Sequence, residues 1–421
     1  VRRFIGEEGM KRVAILHYAS PPVVGGVEAT IAYHARGLAD LGYAVRVISG
    51  SGSSFDPRVE TIIDPLFGSS APEVLNVKRQ LDQGQVTEAF WQLVDVIRER
   101  LHDALKDCDV CIAHNITSLH KNLALTQALV SAGNGSRCRL IAWAHDLAWT
   151  NAYYLPELHS GAPWDLLRQP WPNVRYVAVS ESRRAELAEL LGIPQEHIAV
   201  VVPGVDPSRF LGWTPTMTML AERLRLLDAD GILLLPARIT RRKNIELGIK
   251  VLHAIRDLSG RDYRLVVTGP PGPHSPANPG YLGELLKLRQ ELGVEDAVHF
   301  LYACGEGEQQ LVPDDATMAN LFTLADALLF PSTQEGFGIP IIEAGLAGIP
   351  VFCADIPPLR RTGQNDAYYF DPIKGAPRDI AAAIISTLDT NAPHRLRVRV
   401  RKQYRWDVLI RTHVVPLVEG K

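Results

Sequence analysis

Long apolar runs are missing from this chain. The longest are about strand length, far short of the roughly 20 residues that a membrane span needs, so no stable membrane insertion is expected. The N-terminus has no apolar signal-peptide core, which points to the cytoplasm. Charge of one sign is missing too. A net charge of -3 over 421 residues gives no polyanion signature, and without zinc-finger spacing or a long basic run there is no case for nucleic-acid binding. Cysteine is scarce, at five residues. The lone Cys108-x-x-Cys111 lacks a second pair or a histidine pair nearby. Asp107-Cys-Asp-Val-Cys-Ile-Ala113 reads as a strand entering the core with buried thiols, which leaves no redox pair and no structural zinc. Asp107-Cys108-Asp109 has the outline of an Asp-x-Asp metal motif, but it precedes its strand and reads as exposed turn residues. No metal is assigned.

Nucleotide fingerprints are absent as well. After the first strand the chain runs Tyr18-Ala-Ser-Pro-Pro-Val-Val-Gly25-Gly26-Val-Glu28, which is not G-x-G-x-x-G. Gly305-Glu-Gly307 lacks the third glycine, and there is no Walker lysine loop, solenoid repeat or low-complexity tract.

What is present is a regular alternation of strand and helix patterns, the signature of parallel sheets covered by helices. Hydrophobic content of 46% and charged content of 22% fit a globular protein, and the length suggests two domains. Strands are expected at 13–17, 45–49, 110–114, 140–144, 176–179 and 198–202, then at 232–235, 265–268, 298–301, 327–330 and 351–353. The main helices are expected at 27–41, 87–105, 182–191 and 245–258. Val202-Pro-Gly-Val-Asp-Pro207 reads as the joint between the two series. The core pattern starts at Lys11, directly after Met10. Glu7-Glu8-Gly9 would be encoded by a purine-rich stretch resembling a bacterial ribosome-binding site, so the natural start is expected at Met10. Two doubly wound α/β domains, 10–204 and 205–401, are expected to face each other across a cleft at their strand C-terminal ends.

The most informative segment is Phe330-Pro-Ser-Thr-Gln-Glu335-Gly336-Phe337-Gly338-Ile339-Pro340-Ile-Ile-Glu343, two carboxylates on a strand-to-helix turn. Pro340 suits the first turn of a helix, and Gly336 and Gly338 let backbone N–H groups approach a ligand. A helix N-terminus attracts anions, while carboxylates accept from hydroxyls, so a nucleotide-sugar satisfies the whole segment. A glycosidase acid/base pair is the alternative reading. Upstream, Arg238 and Lys243 lie at a strand end and a helix start, able to converge on one diphosphate. Each charge-assisted hydrogen bond to phosphate contributes about 1.5–3 kcal/mol. Arg241 and Arg242 read as a solvated basic turn. Gly25 and Gly26 open a helix whose amides could hold the same diphosphate, with Glu28 just beyond. His145-Asp146 ends a strand of the first domain, where a histidine could bond a sugar hydroxyl or an acceptor proton. Trp143, Trp149, Trp164 and Trp171, four of the seven tryptophans, cluster with Tyr153 and Tyr154 in one stretch. They read either as an aromatic mini-core or as a sugar-stacking surface; one or two, Trp149 first, are expected to reach the acceptor.

With these residues assembled, the chain resembles the retaining family 4 glycosyltransferases of the GT-B fold. The resemblance spans Gly25-Gly26-Val-Glu28, the Arg238…Lys243-Asn244 group, Glu335-Gly-Phe-Gly…Glu343 as the family's Glu-x7-Glu motif, and Tyr404-Arg-Trp406-Asp. It implies that Arg238 and Lys243 bind the donor diphosphate with Gly25 and Gly26. Glu335, with the Phe337–Gly338 amides, would hold the transferred sugar, Gly336 and Ile339 would belong to the same donor-binding stretch, and Glu343 would take the ribose hydroxyls. His145, Arg238, Lys243 and Glu335 are the catalytic candidates, and Glu28, Asp146 and Trp149 the acceptor-side ones. The resemblance further implies a metal-independent retaining hexosyltransferase with a nucleotide-diphosphate sugar as co-substrate, no other cofactor, and a small polar or saccharide acceptor. It also implies a helix, 402–421, that packs back onto the first domain. The joint Pro203-Gly-Val-Asp206 departs slightly from the family pattern, and the Pro-rich turn 266–274 leaves the base open. The competing classes are a non-transferring GT-B enzyme such as a nucleotide-sugar epimerase, and a nucleotide-sugar-binding protein without turnover.

Overall fold

In the computed structural model, residues 11–133, 138–272, 278–305 and 310–421 are described. The proposed start at Met10, Gly307 and the end of the Pro-rich turn at His274 lie outside them. The chain divides into two compact units. One runs to Gly204 and also takes Tyr404–Lys421; the other is Val205–Gln403.

Unit one carries β1 (Arg12–His17), β2 (Ala44–Ser49), β3 (Val59–Ile63), β4 (Val110–His114), β5 (Arg139–Ala144), β6 (Val174–Ala178) and β7 (Ile198–Val200). They form one parallel sheet in the order β3-β2-β1-β4-β5-β6-β7. Unit two carries β8 (Gly231–Leu235), β9 (Tyr263–Val267), β10 (Val298–Phe300), β11 (Ala327–Phe330), β12 (Val351–Ala354) and β13 (Tyr368–Phe370). Their order is β10-β9-β8-β11-β12-β13, again all parallel. Central strands such as β4, β8 and β11 are buried along their whole length, which is why their sequences are apolar without alternation. Burying each such Leu, Ile or Val contributes about 1.5–3 kcal/mol. The two strands that the sequence pattern misses, β3 and β13, are short sheet edges with half-exposed side chains and no continuous apolar run.

In both units the strand order reverses beside the first strand, between β1 and β4 and between β8 and β11. Such switch points open a crevice at the strand C-terminal ends, where doubly wound sheets bind ligands.

Two expectations gain detail. Asp107 and Asp109 are exposed turn residues, as expected, and they also make ties: Asp107 accepts from the buried Arg46 at 2.6 Å and pairs with Arg12, and Asp109 accepts the Arg12 backbone N–H at 2.8 Å. They tie the starts of β1, β2 and β4 together at the end of the sheet opposite the crevice. The Arg46 hydrogen bond holds the Asp107 carboxyl below its usual pKa. Cys108 and Cys111 are buried free thiols. Second, the segment returning to unit one begins at Tyr404 rather than 402, because Lys402 is still ion-paired to Asp230 and Arg401 to the buried Asp326 (2.7 Å) of unit two. In unit one Trp406 stacks on Tyr33 with ring centroids 5.1 Å apart. A side chain at Gly204 would strike Trp406 and Leu409 at 2.9 Å, so the joint needs glycine there. Among the described residues no helix is long and apolar enough to cross a membrane.

Candidate active site

The unit-two crevice is built from two loops, one after β8 and one after β11. The first turns through a short 3₁₀ segment, Arg241–Lys243, and reaches Asn244 in the left-handed region (φ 52°) before the helix Ile245–Ser259. Asparagine tolerates that conformation, and here its side-chain amide donates to the Pro331 carbonyl (3.2 Å) and the Pro372 carbonyl (2.8 Å). The second loop meets the first through Thr333, whose N–H donates to the Arg242 carbonyl at 2.8 Å and whose hydroxyl donates to it at 3.2 Å. It ends at Gly338 (φ 92°), the N-cap of the helix Ile339–Ala347, with Pro340 in the first turn. A side chain at Gly338 would also meet Leu359 at 2.5 Å, so glycine is required twice over.

Charge pairs fill this crevice. Lys243 and Glu335 form a short ion pair with side chains only 11% and 10% exposed. The Lys243 ammonium also lies 5.2 Å from the centre of the Phe330 ring. Arg242 is exposed, as a turn residue should be, but it also has partners: it donates to the Gln334 carbonyl at 3.1 Å and reaches the other Glu335 oxygen at 3.4 Å. Arg241 points to Glu284 (2.6 Å) and lies over the Tyr281 ring. Arg238 is exposed, and among the described residues nothing holds its side chain. Phe337 and Ile339, on either side of Gly338, are more than half exposed, and beyond its chain neighbours nothing lies within 4 Å of where a side chain at Gly336 would begin. Glu343, on the exposed side of its helix, has its pKa raised by partial burial and then by the nearby Asp315 charge. Lys243 and Glu335 are therefore brought into contact, while Arg238 and Glu343 are left open to solvent.

The unit-one crevice is of another kind. His17, His114 and His145 sit at the ends of β1, β4 and β5. The His17 Nδ1 lies 2.8 Å from the His114 carbonyl oxygen, and the His114 Nδ1 lies 2.9 Å from the His145 Nε2. Asn115, in the left-handed region (φ 59°), accepts the backbone N–H groups of His145 and Asp146 at 2.8 and 3.2 Å and so fixes that turn. Beneath them His34 packs edge-on to Trp143, with ring centroids 4.7 Å apart. Burial, aided by the neighbouring histidines, pulls the pKa of His145 down to about 4 and that of His34 to about 3. His114 falls well below its usual value for the same reason. The cluster is neutral near pH 7.

The reading from sequence found His145 and missed His17, His34 and His114. Two of those carried the same signal, since His17 and His114 each terminate an apolar strand as His145 follows one. Glu28 lies 3.9 Å from His17, with its carboxylate folded over the Gly25 backbone; Gly26 is open. Asp146 is exposed at the turn. Trp149 is less available than expected: its ring lies 4.1 Å from the Arg168 guanidinium, and its Nε1 donates to the Trp164 carbonyl at 3.3 Å. Trp143, Trp164 and Trp171 are buried, so this aromatic group is mainly a mini-core; Tyr153, 89% exposed, is its free ring.

Comparison with known proteins adds a family. The description "Glycosyl transferases group 1" matches residues 220–405, and "Glycosyltransferase Family 4" matches residues 24–209. A D-inositol 3-phosphate glycosyltransferase of Stackebrandtia nassauensis is 27% identical over 409 residues, covering 93% of this chain and 86% of that one. A mannosylglucosylglycerate synthase of Thermotoga maritima is 26% identical over 369 residues, covering 81% of this chain and 79% of that one.

Proposed function

The chain belongs to the family 4 glycosyltransferases of the GT-B fold, and from that premise we propose that it moves a hexosyl group, glucosyl or mannosyl, from a nucleotide-diphosphate sugar to a small polar or saccharide acceptor. The observation that carries this reading is the unit-two crevice, where a covered Lys243–Glu335 pair sits at a glycine-bearing helix start, with the exposed Arg238 earlier in the same loop as Lys243. Cations and helix-terminal amides there suit a diphosphate, and carboxylates suit hydroxyls. The printed names of the two relatives, a glycosyltransferase of D-inositol 3-phosphate and a synthase of mannosylglucosylglycerate, each name a small hydroxylated molecule, which supports the acceptor class.

In this reading Arg238 and Lys243 stabilise the charge that develops on the departing diphosphate. Glu335 and the amides of Gly336, Phe337, Gly338 and Ile339 orient the sugar, and Glu343 takes the ribose. The acceptor oxygen bonds to the anomeric carbon as the bond to the diphosphate oxygen breaks, and the acceptor proton passes to the departing phosphate. Attack on the same face retains the anomeric configuration and needs no catalytic metal. In unit one, Gly25 and Gly26 offer helix-start amides to phosphate. His145, held neutral, bonds a hydroxyl near the reaction centre, and Glu28 and Asp146 are the acceptor-side carboxylates. No observation favours an epimerase or a binding protein without turnover.

The test is a panel of UDP-, ADP- and GDP-linked glucose and mannose, read by nucleoside diphosphate release, then an acceptor screen with the active donor. Product NMR and an EDTA control follow. No transfer from any donor overturns the proposal. An inverted product removes retention, and EDTA-sensitive activity restored by a divalent cation removes metal independence.

A further inference from the structure

We propose that Arg242 is a positioning residue, holding Glu335 and its loop in place while Lys243 exchanges that carboxylate for the donor diphosphate. The inference rests on the transfer reaction proposed above. In the ligand-free crevice the two Glu335 oxygens are held by different cations: Oε1 by Lys243 and Oε2 by Arg242, the latter at 3.4 Å. Lys243's ammonium, on a flexible stem, can turn from Oε1 toward a diphosphate. Arg242 is built to stay. Its carbonyl is fixed by the Thr333 N–H (2.8 Å) and hydroxyl (3.2 Å), and its guanidinium donates to the Gln334 carbonyl at 3.1 Å. Backbone and side chain of one residue therefore grip three successive residues of the sugar-facing loop, Thr333, Gln334 and Glu335. Both contacts come from one guanidinium nitrogen, so a lysine ammonium can reproduce part of them, whereas a neutral amide cannot hold the carboxylate by charge. The neighbouring Arg241 makes no such bonds; it pairs with Glu284 at 2.6 Å and supplies a control.

The test compares Arg242→Gln, Arg242→Lys and Arg241→Gln in the full chain, with whichever donor of the panel the unaltered protein uses. Calorimetric binding of UDP, ADP and GDP is measured alongside turnover. Arg242→Gln is expected to lower kcat by about 10- to 100-fold, as misplacement of a reacting group by around 1 Å does. Binding of the free nucleoside diphosphate should change by less than about threefold, since Arg238 and Lys243 remain. Arg242→Lys should recover part of kcat, and Arg241→Gln should leave turnover unchanged. A kcat for Arg242→Gln within about threefold of the unaltered protein overturns the proposal. So does a loss of diphosphate binding in step with turnover, or no gain from lysine over glutamine. If Lys243→Ala and Glu335→Gln abolish turnover while Arg242→Gln does not, the transfer reaction stands and this inference falls. If no donor is turned over at all, the reaction itself falls.

Discussion

The two switch-point crevices share a topology and differ in chemistry. In unit two, two cations from one loop, Arg242 and Lys243, share the single carboxylate of Glu335 from another, beside a glycine turn. In unit one, neutral histidines at three adjacent strand ends bond to one another over a tryptophan floor. One sheet plan therefore supports a crevice lined by an ion-paired carboxylate and another lined by neutral, hydrogen-bonded histidines. The difference follows from burial. Charges partly covered at a loop mouth can find partners, whereas histidines buried at the strand ends of the sheet give up their proton instead.

The strongest challenge to this contrast is Lys243→Ala. It removes the cation proposed for the diphosphate and strips Glu335 of its closest partner, so kcat/KM is expected to fall by about 10²–10³-fold. Arg238→Ala should cut turnover somewhat less, by about 10²-fold, because no partner is orphaned. In unit one, His145→Ala should lower kcat by about 10- to 100-fold, within the usual range for a hydrogen-bonding or proton-managing group. The pH profile of the unaltered enzyme sharpens the point: with the His145 pKa near 4, its acid limb should lie near pH 4–5. A limb at pH 6.5 that disappears in His145→Ala would show that the cluster is not neutral. Glu343→Ala is a smaller change. It should raise donor KM by about tenfold, equivalent to about 1.4 kcal/mol, with kcat little altered.

Stability should separate the units as well. His34 and His145 have folded pKa values of about 3 and 4, against 6.5 unfolded, so between those values the unfolded chain binds the extra protons. Their contribution is intact above pH 6.5 and is lost progressively as pH falls toward 4 and then 3. Six of the seven tryptophans belong to unit one, only Trp213 to unit two, so tryptophan fluorescence follows unit one almost alone. The expected result is an acid transition in that signal which His34→Leu moves to lower pH. An unchanged midpoint would remove His34 from the account.

Much of this was legible in the chain. Buried parallel strands announce themselves as apolar runs, and β4 and β11 fall where the pattern puts them. The edges β3 and β13 do not, because a half-exposed short strand has no composition of its own. At the site, Glu335, Lys243 and the Gly338 turn were legible as types on a strand-to-helix turn. Arg242 was not, since a basic turn residue becomes a clamp only if another loop lies within reach. Trp149 reads as a free aromatic face until Arg168 is seen across it.

The sequence by itself determined the alternation of elements, the two-domain plan and the family, because periodicity and strand-to-helix turns are local along the chain. The tertiary structure decided the partners. Lys243 and Glu335 are 92 positions apart, and His17 is 97 from His114. Strand order alone brings such residues together, and no local pattern encodes it.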